Sequence, residues 1–210
     1  MRWTKISLLG LLTMYSIALL YAELKFSQDY VRNYFTDITG PVRFYAINTT
    51  LSIFLLWGTA LIFAISTLCI DEEDDGNKAR IFYTSQVLLF SYLGLDDRFM
   101  LHEWLASAAR INDALIIFGL GILEIGLLIY FGDLKKRPRR VKLYLFAATV
   151  FFAGMFFIDA FLPRSMPMRL SFEDLFKTWA NIFLFMFAWE ICSGHIVLLK
   201  KRAKVRIDNG

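Results

Sequence analysis

With only two cysteines and two histidines among 210 residues, the chain has little material for a metal centre built on sulfur or imidazole. Cys69 and Cys192 follow no spacing pattern, so no disulfide framework can be read from them, and they are expected to be reduced and structural. No H-E-x-x-H stretch occurs, which excludes a zinc-protease helix, and no E-x-x-H pair suggests a di-iron bundle. Ser193-Gly194-His195 sets a serine beside a histidine, but adjacency in sequence does not make a catalytic pair, and the three residues read as a small-residue packing site. A separate polar region is also missing. At 57% hydrophobic residues and a mean hydropathy of +0.51, the chain is too apolar for a soluble domain, and residues 1–210 read as one membrane domain. No nucleic-acid motif is present, and the net charge of +4 comes from basic residues confined to particular loops, where they act as orientation signals.

Apolar runs and their breaks predict an all-α integral membrane protein with six transmembrane helices, at about residues 6–22, 44–70, 81–106, 114–131, 143–162 and 173–199. Arg2 and Lys5 ahead of the run from Ile6 to Leu20 resemble the start of a signal peptide, but no small-residue cleavage site follows, so this run is read as a retained first helix. After it, Phe26, Tyr30, Tyr34 and Ile38 recur every four residues between polar side chains, predicting an interfacial amphipathic helix within 23–42. Asn48-Thr49-Thr50 matches a glycosylation sequon, but it lies against the membrane boundary. Six spans put Arg2 and Lys5, Lys78 and Arg80, the cluster between Lys135 and Lys142, and the basic tail on one side, expected to be cytoplasmic in a plasma or bacterial inner membrane.

The third predicted helix carries the main polar stripe. Ser85, Tyr92, Asp96 and Glu103 are separated by seven, four and seven residues, which places them on one face of a continuous helix. Ionisable groups inside a membrane segment are costly unless they face the bundle interior or water, so this stripe is a candidate site. The topology gathers Asp96, Asp97, His102, Glu103, Asp159, Glu173 and Asp174 toward the outer leaflet. Asp96 and Asp159 could share a divalent metal ion with Glu103 and His102, a donor set that does not choose among Mg2+, Mn2+, Ca2+, Zn2+ and iron. The competing arrangement is an ion-pair network, Asp96 or Asp159 with Lys177 or Arg98. Ser171 and Asp174 form an S-x-x-D pattern, so Glu173 and Asp174 read as helix caps. Glu124 and Glu190, deeper in the bilayer, are candidate proton-carrying groups. Gly119, Gly121 and Gly126 would let another helix approach the fourth span closely.

Asp75-Gly76-Asn77-Lys78-Ala79-Arg80 resembles the D-G-x-x-A-R half of the CDP-alcohol phosphotransferase signature. The resemblance implies a six-span, metal-dependent enzyme, with the preceding family aspartate at Glu72 and the last at Asp97. Leu89 and Leu93 stand where the second glycine and third aspartate belong, and those changes would remove the two-metal site.

Three functional classes follow: a transporter-like, sensory or complex-forming component with an acidic outer-leaflet site for a cation or protons; a metal-dependent enzyme acting on a lipid or lipid-linked substrate; and a structural or regulatory subunit. The expected partners are the lipid bilayer and, in addition, a membrane protein or a second copy of the chain.

Overall fold

The computed structural model describes residues 2–32, 47–70, 76–163 and 166–208, which are all-helical apart from their connections. The elements are α1 (Arg2–Lys25), α2 (Gln28–Arg32), α3 (Ile47–Leu68), α4 (Gly76–Phe99), α5 (Leu101–Ala109), α6 (Asp113–Phe131), α7 (Arg139–Phe161) and α8 (Arg169–Asp208). Among the described residues, α3, α6, α7 and the Arg169–Lys201 part of α8 are long and apolar enough to cross a membrane.

Several boundaries differ from expectation for identifiable reasons. The predicted third helix, 81–106, is two helices, because Met100 adopts a left-handed conformation with φ 51. Its N–H bonds back to the Asp96 carbonyl at 2.7 Å, a left-handed helix stop, and α5 restarts immediately. α5 ends in a Schellman motif, with Arg110 left-handed at φ 55 and the Ile111 N–H on the Ala106 carbonyl at 3.1 Å. Asn112 then caps α6, its Oδ1 accepting from Ala114 N at 2.9 Å. Gly76 to Arg80, read as loop, form the first turn of α4, and α8 starts at Arg169 instead of at 173. Of the predicted amphipathic helix, Glu23 to Lys25 belong to α1 and Gln28–Arg32 form α2, while 33–42 lie outside the described residues.

Neighbouring helices are mostly antiparallel. Phe63 of α3 meets Phe82, Tyr83 and Phe90 of α4, with ring centroids about 6 Å apart, and further along Trp57 lies over Gly94. A side chain at Gly94 would meet the Trp57 indole 2.3 Å away, so this close approach requires glycine. Phe151 of α7 packs on Phe176, Trp179 and Phe183 of α8. α1 crosses α8 with Trp179 Nε1 donating to Ser16 Oγ at 3.1 Å.

α3 and α8 run parallel along a polar seam. Thr178 donates to Asn48 Oδ1 at 2.9 Å, and Asn181 Nδ2 donates to Ser52 Oγ at 2.7 Å. Asn48, Ser52, Leu55, Thr59, Ile62 and Ser66 are buried at alternating intervals of four and three, the repeat of a helix-packing face. Small polar side chains let helices come close and hydrogen-bond where lipid offers no partner. The Asn48 sequon is therefore a buried packing residue.

Candidate functional site

The helix directions bring the end of α4, the end of α7, the start of α8 and the end of α1 to one end of the bundle. Asp96 and Asp97, adjacent on α4, take separate partners. Asp96 is buried and caps α5 across the break: Oδ1 accepts from His102 N at 2.7 Å, and Oδ2 lies 2.8 Å from His102 Nδ1. A carboxylate only accepts, so Nδ1 carries the proton. Burial opposes the charged imidazole, but the hydrogen bond and charge of Asp96, with Glu103 and Asp113 adding to them, outweigh it, and His102 titrates above its ordinary range.

Asp97 turns to α8, where Lys177 Nζ donates to its Oδ1 at 2.7 Å and lies 3.6 Å from Asp174 Oδ1. One cation thus sits between two carboxylates from different helices. Nearby, the guanidinium of Arg169 joins α7 to α8. Its Nη2 donates to Asp159 Oδ1 at 2.9 Å and to the Asp159 carbonyl at 3.0 Å, and its Nε donates to the Leu162 carbonyl at 3.2 Å. Nη1 lies 3.0 Å from Glu173 Oε2, an ion pair whose angle does not make a hydrogen bond. Asp97, Asp159, Glu173 and Asp174 therefore share Arg169 and Lys177, four carboxylates with two cations, and Asp97 Oδ2 is buried without a hydrogen-bond partner.

This arrangement corrects several expectations. The stripe from Ser85 to Glu103 is not one helical face, because the turn at Met100 puts Glu103 on α5, where it is exposed. Ser85 Oγ donates to the Phe82 carbonyl of its own helix at 2.7 Å. Asp159 is held by Arg169, and Lys177 pairs with Asp97 and Asp174 instead of Asp96 or Asp159; Arg98 is exposed in the last turn of α4. Ser171 is no cap: it lies within α8 and donates to the buried Glu23 of α1, while Glu173 and Asp174 join the ion pairs. Among the described residues, no three His, Cys, Asp or Glu side chains are grouped as a metal ion requires.

Arg169, Glu23 and Gln86 carry interactions that sequence reasoning missed. Arg169 fell in a predicted loop, and its signal was a basic residue beside Met168 and Leu170 just before the apolar run of the last helix. Gln86 is fully buried on α4 and donates through Nε2 to Glu124 Oε2 of α6 at 2.7 Å. Glu190 is half-buried on α8. Gly121 meets Phe152 of α7, whereas a side chain at Gly119 or Gly126 would touch nothing within 4 Å. Gly194 likewise faces open space and is no packing site, and Ser193 donates to the Trp189 carbonyl of its own helix. His195 instead lies at the opposite end from the ion pairs, 2.7 Å from the Tyr83 hydroxyl, which accepts from Arg137 Nη2 at 3.0 Å.

The phosphotransferase-like stretch begins in 71–75, outside the described residues. Its final aspartate, Asp97, is committed to Lys177 at the far end of an unbroken α4. A protein-family model described as a domain of unknown function (DUF8692) matches residues 6–191. No curated protein and no solved structure matches the chain.

Proposed function

Because the chain belongs to the DUF8692 family, whose description assigns no activity, its function is read from its own residues, and we propose a six-span membrane protein whose acidic end takes up protons or a cation. In this reading it works as a transporter-like, sensory or complex-forming component. α1 and α4 supply the two further spans. Each has 24 residues, about 36 Å at 1.5 Å per residue, enough for a hydrocarbon core of about 30 Å, and each runs antiparallel to its packed neighbours. α5 then lies at the outer surface. Lys78, Arg137 and the end of α8 share the opposite end, which the distribution of positive charge makes cytoplasmic along with both termini.

One observation carries the functional reading: four carboxylates share two cations in a largely buried cluster. Two negative charges in excess are costly in a low-dielectric setting, and protons or an added cation would offset them. Lys177 occupies the place between Asp97 and Asp174 that such a cation would contest. The six helices bring these charges together from three elements, so a change in their protonation would alter how α4, α7 and α8 are held.

The test is a difference titration of purified protein in lipid nanodiscs between about pH 5 and 8, with metal analysis of the same preparation. Glu173→Gln and Asp174→Asn should each remove roughly one proton from the uptake of the wild type, unless a bound divalent ion is found and lost in the variants. Unchanged titration curves in metal-free protein would overturn the reading and leave a structural ion-pair network.

A further inference from the structure

Away from the ion pairs, α6 stands off from the bundle and leaves a cavity of about 210 Å³ between α4, α6, α7 and α8. Leu89, Leu93, Phe118, Ala148 and Phe152 form apolar wall, and Glu124 is the one carboxylate in the lining. Glu124 Oε2 accepts from Gln86, but Glu124 Oε1 and Gln86 Oε1 are both buried with no hydrogen-bond partner. The unanswered oxygen of Glu124 belongs to the lining of a space that water fills poorly, because the other lining side chains are apolar except Thr149, whose hydroxyl donates to the Leu145 carbonyl. Phe118 and Ile122 of α6 are exposed on their outer side, so a molecule dissolved in the bilayer meets this helix directly.

We infer that this cavity binds a lipophilic amine, an apolar body bearing one ammonium group that donates to Glu124. Charge complementarity selects the head group: a carboxylate in an apolar wall gains most from a cation that brings its own hydrogen-bond donors. The volume limits the body. An engineered apolar cavity of about 150 Å³ holds benzene, so this one takes a short alkyl chain or a small ring system, not a whole phospholipid. The site is independent of the acidic end, since Glu124 and Gln86 have no part in its ion pairs.

Octylamine, octanol and octane share an alkyl chain and differ in the head group, so they separate charge recognition from filling of the space. Thermal unfolding of the purified protein is followed as each is added. Octylamine should raise the melting temperature saturably, and octanol and octane should raise it little. Glu124→Gln, which keeps an amide opposite Gln86, should weaken octylamine about tenfold to a hundredfold, as loss of a charged hydrogen bond implies. Ala153→Phe, which fills the cavity and leaves Glu124 in place, should abolish the response, and it covers the case in which the Glu124 variant does not fold. Equal responses to octylamine and octanol, no saturable response to octylamine, or an undiminished response in either variant would overturn the assignment.

Discussion

α3 and α6 are both apolar enough to cross a membrane, yet half of the most apolar stretch of α3 is buried within the protein and only 11% of that of α6. The buried helix is the one with a row of small polar side chains along one face. Asn48, Ser52, Thr59 and Ser66 face its neighbours, while α6 shows Leu115, Ile122, Leu123 and Ile129 to its surroundings. In water this pattern would be inverted, because apolar area drives burial. In lipid, the tails match leucine and isoleucine, so helices associate through close packing and hydrogen bonds, and apolar character by itself gives no attraction. Apolar content thus marks a helix as membrane-compatible, and polar spacing marks which of its faces is packed.

The sharpest way to break this comparison is to put the same bulk into both helices. Ser52→Leu forces a large side chain into the α3–α8 seam and removes the acceptor of Asn181, and it should destabilise by about 1–3 kcal/mol in a detergent unfolding titration. An unfolding midpoint like that of the wild type would mean the seam is looser than its two hydrogen bonds imply.

A smaller effect should separate the two helices by pH. α5 links α4 to α6 and is held by the Asp96–His102 pair. The folded state raises the His102 pKa above the unfolded value of about 6.5, so the pair's contribution is fully present below about 6.5 and is lost as pH rises through the higher folded value. Hydrogen exchange in α5 and at the start of α6 should therefore quicken with rising pH beyond the intrinsic base-catalysed increase, while α3 follows the intrinsic increase alone. His102→Ala should remove the additional dependence. If α3 and α6 respond together, the latch does not act locally.

The smallest expected effect is at Gly126, where a side chain would meet nothing within 4 Å. Gly126→Leu should change stability by no more than about 0.5 kcal/mol, against the larger loss at Ser52. A loss as large as that at Ser52 would show that α6 is packed against something at this face.

The helical layout was largely legible because long apolar runs separated by charged loops have few other solutions. The break at Met100 was not, since the residue is an ordinary helix former and the turn is held by Asp96 reaching six residues ahead to His102. Arg169 was hidden in the stretch that follows Pro163 and Pro167, whose composition reads as loop, although it makes three hydrogen bonds to the end of α7 and an ion pair with Glu173 of its own helix. Of the expected outer acidic residues, Asp97, Asp159, Glu173 and Asp174 do meet, but through Arg169 and Lys177, and pairing between helices is not written in the spacing along any one of them. Asn48 carried the opposite lesson: its sequon was set aside only for lying against the membrane boundary, and the alternation of buried positions at intervals of four and three explains its place in the seam.

α8 continues for 40 residues without a break, a rod of about 60 Å. Its first three turns hold Arg169, Glu173, Asp174 and Lys177, and its far end runs well past the thickness of a hydrocarbon core of about 30 Å. A rod anchored at one end acts as a lever. If the ion pairs at its base shift so that it tilts by about 5°, its tip sweeps about 5 Å, the length of one helical turn.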